Sequence, residues 1–270
     1  MKTARIPMFT ASALLVSAVA APAQSVTVVQ STRTVEAGAY GYDYDFDGGV
    51  LLGDAAPLAT GPWTRDLVAN VDDYEGFAVG GGSAVLDSDV SADRIEFTLD
   101  ALAGTAGNHF SADAQAECIH DVTLAITQRV RYAVVIHVEA TAGYNEGAVA
   151  LRQGTQTVFG TSVLGGGSDD VALTGWLDPG TYRLEANATA FAYGTHGAPD
   201  LQSGLAECDL RLVHAGDWDA DGDVDLADRQ GYLQAWAAQS ADADWNGDGN
   251  VDRLDGRAFI RAWRDGVIAG

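Results

Sequence analysis

The chain has 270 residues, with 38 acidic side chains against 15 basic ones and a formal net charge of −23. That balance argues against nucleic-acid binding, which needs lysine and arginine to displace phosphate counterions, and against anionic membrane surfaces. With 47% hydrophobic residues the chain can bury a core, which rules out wholesale disorder.

Taken in order, residues 1–23 read as a secretory signal. Lys2 and Arg5 open it, an apolar stretch runs from Phe9 to Ala21, and Ala21-Pro22-Ala23 offers small residues for cleavage. The stretch is short for a membrane span, and no later segment could cross a bilayer. The expectation is a secreted or cell-surface protein with no membrane insertion after cleavage. Removing 1–23 leaves 13 basic and 38 acidic residues, a net −25, and no lysine.

Residues 24–213 read as all-β. Strands are expected at Ser25–Gln30, Arg94–Leu99, Val122–Ile126, Arg131–Val138, Ala148–Arg152, Val171–Thr174, Tyr182–Thr189 and Asp209–Val213, from alternation and β-branched content. Asp178-Pro179-Gly180 signals a turn. Gly80-Gly81-Gly82 and Gly165-Gly166-Gly167 read as breaks. Short strands with such punctuation predict a β-sandwich or jelly-roll-like domain.

From Tyr40 to Phe46 aromatics alternate with glycine and aspartate, which predicts a strand with a core face and a solvated face. The same stretch allows two other readings. One is a metal loop from Asp43 through Asp45, Asp47, Gly48 and Val50 to Asp54, spaced like the two acidic repeats of residues 217–255 and so a third calcium site beside theirs; the other is an aromatic platform for sugar rings. Cys118 and Cys208 each sit in an Ala-Glu-Cys triplet, and export makes a disulfide between them the expectation, with two buried thiols as the alternative. His137 reads as a structural residue in an apolar strand. No metalloprotease, nucleophile-elbow or phosphate-loop motif occurs. Glu96, Glu139 and Glu185 are the carboxylates that a glycosidase reading would draw on.

Residues 214–270 change character. Asp217-Trp-Asp-Ala-Asp-Gly-Asp-Val-Asp-Leu-Ala-Asp228 and Asp244-Trp-Asn-Gly-Asp-Gly-Asn-Val-Asp-Arg-Leu-Asp255 repeat at an offset of 27 residues. Calcium takes six to eight oxygens, and a wrapping loop supplies them from positions 1, 3 and 5, a position 7 carbonyl, position 9 through water, and position 12. The expected ligands are therefore Asp217, Asp219, Asp221, Asp223, Asp225 and Asp228 in loop one. In loop two they are Asp244, Asn246, Asp248, Asn250, Asp252 and Asp255. Gly222 and Gly249 take the sharp turn at position 6, and Val224 and Val251 at position 8 are expected to pack together. Two Ca2+ ions are implied. Loop one carries six carboxylates and loop two four, so loop one should depend more on calcium for order. Tyr232, Leu233 and Trp236 repeat as Phe259, Ile260 and Trp263, which predicts one helix after each loop with an apolar stripe facing its twin.

Asp at position 12, asparagine or aspartate ligands and a single exiting helix, in tandem over residues 217–265, resemble a type I dockerin. The resemblance implies a small α module that docks a secreted protein onto a cohesin-type partner on a scaffold or cell surface, often in polysaccharide breakdown. The Ser-Thr pair usual before position 12 is replaced by Leu226-Ala227 and Arg253-Leu254. The expected function is a secreted calcium-binding protein whose sandwich binds carbohydrate or another surface ligand and whose tail attaches it to a partner. The alternatives are a dockerin-bearing hydrolase of O-glycosyl bonds and a calcium-clamped structural protein of the cell surface.

Overall fold

The computed structural model describes residues 26–42, 47–56, 60–72, 78–107, 111–127, 129–194, 200–213, 216–219, 221 and 223–269. The expected signal segment, and Asp43, Tyr44, Asp45 and Phe46, lie outside them. Among the described residues, twelve strands form two six-stranded sheets, antiparallel throughout. The first orders β2 (Asp47–Ala55), β1 (Val26–Tyr42), β6 (Ser111–Ile126), β11 (Gly180–Gly194), β8 (Glu146–Gln153) and β9 (Gln156–Leu164). The second orders β10 (Gly167–Leu177), β7 (Val130–Ala140), β12 (Asp200–Val213), β5 (Arg94–Gly107), β4 (Ala78–Val90) and β3 (Trp63–Asp72). The result is the expected β-sandwich. Two helices follow, α1 (Leu226–Ala237) and α2 (Arg253–Ala269).

Alternation writes the sandwich. In β7, Val130, Tyr132, Val134, Ile136, Val138 and Ala140 are buried, while Val135, His137 and Glu139 point outward. Side chains at i and i+2 share a face of a pleated strand, so one apolar set per strand makes the core. Asp178-Pro179-Gly180 joins β10 to β11 as expected, and Gly165 and Gly166 turn between β9 and β10 with φ of 73° and 111°.

The other glycine run is not a break. Gly80, Gly81 and Gly82 lie inside β4. A Cβ on Gly82 would stand 2.2 Å from the Gln115 carbonyl oxygen and 2.7 Å from that of Gly38. Here glycine permits the two sheets to approach backbone to backbone, which no side chain would allow.

Two further expectations fail for geometric reasons. Cys118 and Cys208 are free thiols, both buried. Cys118 Sγ lies against the carbonyls of Val85 and Asp100. Cys208 is paired with Phe97, three residues from Asp100 along β5, roughly 10 Å at strand rise. The Tyr40–Phe46 alternation does not run along one strand either, because β1 ends at Tyr42, which pairs across the antiparallel ladder with Asp47 at the start of β2. The third calcium loop fails with it. Asp47 and Asp54 lie seven residues apart on extended β2, roughly 23 Å, and Asp54 pairs instead with Arg65 Nε at 2.6 Å.

The core also holds charge. Arg33 is 2% exposed and donates through Nη2 to the Gly61 carbonyl at 3.0 Å. His120, its cross-strand partner, is 1% exposed and sets its ring edge-on to Phe97 at 4.9 Å. Burial, and then the Arg33 charge beside it, lower the His120 pKa to about 3, so the ring is neutral in the folded protein.

Candidate metal centre

Loop one closes on its last residue. The Asp228 carboxylate accepts from the Trp218 N–H at 2.5 Å, the Asp219 N–H at 3.2 Å and the Asp225 N–H at 2.6 Å. Asp225 accepts in return from Ala227 N–H and caps α1, so positions 9 and 12 form a reciprocal capping box. Loop two repeats this. Asp255 accepts from the Asn246 and Asp252 amides at 3.0 and 2.7 Å, and Asp252 accepts from Leu254 N–H. Asp217, Asp228 and Asp255 are buried carboxylates, 2%, 1% and 0% exposed. Removing a carboxylate from water is costly without a cation or several donors.

The oxygens of loop one gather in two groups of three instead of the single shell that the repeat predicts. Among the described residues, Asp217, Asp219 and Asp221 bring one oxygen each within 4.8 Å of one another, and Asp223, Asp225 and Asp228 form a second such group. The Asp223 side chain thus joins the cluster, where the sequence assigned its backbone carbonyl. In loop two, Asp244 accepts from the amides of Gly247, Asp248 and Gly249. Gly247 and Gly249 hold φ of 75° and 86°, the left-handed turn that glycine makes without strain. Gly222 lies outside the described residues.

The two loops differ electrically. The Asp223 carboxyl is pushed up chiefly by the neighbouring Asp221 charge. That of Asp219 rises through burial and then through Asp228 and Asp221. In loop two the backbone and side chain of Asn250 hydrogen-bond to Asp248 and lower its pKa. Carboxylate oxygens crowded against one another in loop one are a donor set that suits a divalent calcium ion; in loop two the Asp244 and Asp255 oxygens accept from backbone amides.

Behind the loops lies an aromatic core. Tyr232 stacks on Phe259 at 3.9 Å, and Trp218 and Trp245 set their edges against this pair. Trp236 Nε1–H donates to the Asp252 carbonyl, and Trp263 Nε1–H donates to that of Asp225. Each helix therefore ties its tryptophan to position 9 of the other unit. Val251 and Ile260 pack on this core, while Leu233, expected on the stripe, is exposed.

Sequence reasoning missed where the tail meets the sandwich. Arg131, in β7, donates to the Trp218 carbonyl and lies over the Trp218 ring, with Cζ 4.4 Å from its centroid. Arg129 donates to the Asp244 carbonyl at 2.5 Å and lies over Trp176 of β10 at 4.9 Å. Trp176 meets Trp245 edge to face at 4.8 Å. In the tail, α1 and α2 border a groove of about 580 Å3 lined by Trp236, Gly256, Ile260 and four arginines, Arg253, Arg257, Arg261 and Arg264. Leu226 and Leu254, standing at positions 10 and 11, are 60% and 55% exposed.

The glutamates weighed for catalysis are spread over the sheets and engaged in ion pairs: Glu96 with Arg94, Glu185 with Arg152 and Arg183, and Glu139 with His137. His137 also meets Asp170 at 2.8 Å on the outer face of the second sheet, not in the core.

No protein-family model matches the chain, and no curated protein matches it significantly. Among solved structures, TmCBM61 in complex with β-1,4-galactotriose is 12% identical, with a TM-score of 0.23 over 55% of this chain and 88% of its own. The infectious bursal disease virus Gt strain structure is 13% identical, with a TM-score of 0.18 over 69% and 57%. Likenesses at this level are too weak to carry a fold or a function from those proteins to this chain.

Proposed function

We propose that the chain is an exported calcium-binding protein whose two-loop tail attaches a ligand-binding β-sandwich to a cohesin-type or cell-surface protein partner. The observation that carries this reading is the duplicated loop, whose carboxylates gather in loop one and whose position 12 aspartate is buried at both copies. Asp217, Asp219, Asp221, Asp223, Asp225 and Asp228 hold one Ca2+; Asp244, Asn246, Asp248, Asn250, Asp252 and Asp255 hold the other. A bound ion would supply the positive charge that offsets the repulsion among these carboxylates. The chain's own residues then fix the helices, through the capping boxes and the stacked Tyr232–Phe259 pair.

Exposed Leu226 and Leu254 and the arginine-lined groove suit a partner surface that offers apolar contact together with carboxylates. The sandwich ligand is proposed to be a polysaccharide or another surface component. Calorimetric titration of the metal-free chain with Ca2+ should give two ions per chain. A result of no binding at millimolar Ca2+ overturns the reading. Binding of the residue 24–213 region to a glycan array, in the full chain with and without calcium, tests the sandwich half.

A further inference from the structure

The sandwich and the tail share a built junction, and its atoms belong to the loops proposed to hold calcium. Arg131 grips the carbonyl at position 2 of loop one, and Arg129 grips the carbonyl at position 1 of loop two. The contacts mirror the repeat, with one arginine, one loop carbonyl and one position 2 tryptophan at each half. Arg131 covers Trp218 directly; Arg129 reaches Trp245 through Trp176. Burial depresses the Arg131 pKa, and the carboxylates of Asp242, Asp217, Asp219 and Asp228 offset that cost. Arg129 is further held by Asp178 at 3.2 Å and lies against the backbone of Gly247. The connection is short. β12 ends at Val213 and loop one begins at Asp217, and a Cβ on Gly216 would stand 2.7 Å from Trp263 Cα, so Gly216 packs against α2.

We propose that these two arginines form a clasp that calcium closes: the sandwich is held in one orientation on the tail only while the loops are loaded. The inference rests on the calcium reading above and adds its regulation. A guanidinium needs a carbonyl at a fixed place. In a metal-free loop one, six carboxylates repel one another, and the Trp218 carbonyl loses its place. The clasp then opens and cargo and anchor turn independently.

The sign of one measurement separates this clasp from plain electrostatics. Arg129 and Arg131 are cations beside the calcium loops, so by Coulomb's law alone their removal raises calcium affinity. If the clasp and the ions stabilise each other, reciprocity requires the opposite. The test is calcium titration of the full chain and its Arg129→Gln/Arg131→Gln variant, with amide exchange read at Val130–Tyr132 and Trp218–Asp219. The expected result is two ions in both proteins, about 5- to 10-fold weaker affinity in the variant, and exchange at both segments at least 10-fold faster at saturating calcium. Unchanged or tighter binding with unchanged exchange overturns the clasp while leaving the calcium reading intact. Absence of binding in the wild type overturns the calcium reading itself. Should the variant misfold, the wild type still decides. Chelation must speed exchange at Val130–Tyr132, which carries no proposed ligand, and a segment that stays protected there refutes the coupling.

Discussion

The sandwich and the tail hold themselves together in opposite ways. The sandwich packs two continuous apolar faces, with Leu86, Ile95, Leu99, Leu124, Leu151, Leu184 and Leu210 all fully buried. Among the described residues of the tail, the only fully buried hydrophobic side chains are Tyr232, Ala243 and Phe259, surrounded by partly covered tryptophans. A core that small does not outweigh the entropy of ordering more than fifty residues, whereas a metal that binds only the folded loops adds its binding energy to folding. On the proposed calcium reading, one chain joins a domain stabilised by area to a module stabilised by charge neutralisation.

Four experiments can break or sharpen that contrast. Chelating calcium should have the largest effect, with the α1 and α2 amides exchanging at unfolded rates while sandwich strands away from the junction, such as β5 and β6, stay protected; joint loss of both would refute the contrast. Next come the cores themselves. Phe259→Ala and Leu99→Ala each remove about 3–5 kcal/mol by cavity creation, yet the first should abolish helical circular dichroism and the second only lower the sandwich melting temperature.

Third is pH. The His120 pKa is about 3 in the folded protein and about 6.5 in an unfolded chain. The unfolded state therefore takes up a proton first as pH falls, and sandwich stability is complete above about pH 6.5 and declines below it by up to ~1.4 kcal/mol per pH unit. In His120→Phe the sandwich should lose that component of its pH slope, as seen by denaturant melts from pH 7 to 4. The smallest effect separates the loops. Loop one, with more carboxylates, should fill before loop two by roughly fivefold, about 1 kcal/mol, and the gap should shrink in 0.5 M salt. Isotope-edited spectra that show loop two filling first would reverse the assignment.

How much of this was legible beforehand depended on whether the signal was local. The tail's oxygen spacing, its glycines and its paired aromatics lie within 27 residues of their copies, and both helices appeared where the loops end. Strands such as β7 and β11 were visible because their buried residues alternate. β2, β3, β4 and β9 were missed. β2 carries Val50, Leu51 and Leu52 in a run, all partly exposed at the sandwich edge, and β4 has glycine where alternation would need side chains. Arg33 sat in phase with the buried positions Ser31, Val35 and Ala37, a signal that was present and unread. Arg129 and Arg131 had none. Their role depends on Trp176, over forty residues away, and on the position of the tail, which no local pattern encodes.

The crossed tryptophans carry a last consequence. Because Trp236 binds the position 9 carbonyl of loop two and Trp263 that of loop one, neither half can assemble without the other's backbone in place. A half-loaded tail is then an unfavourable intermediate, and occupancy should rise with a Hill coefficient above one. The anchor would behave as a threshold device, slack where the free ion is scarce and set once the chain meets an ion-rich exterior.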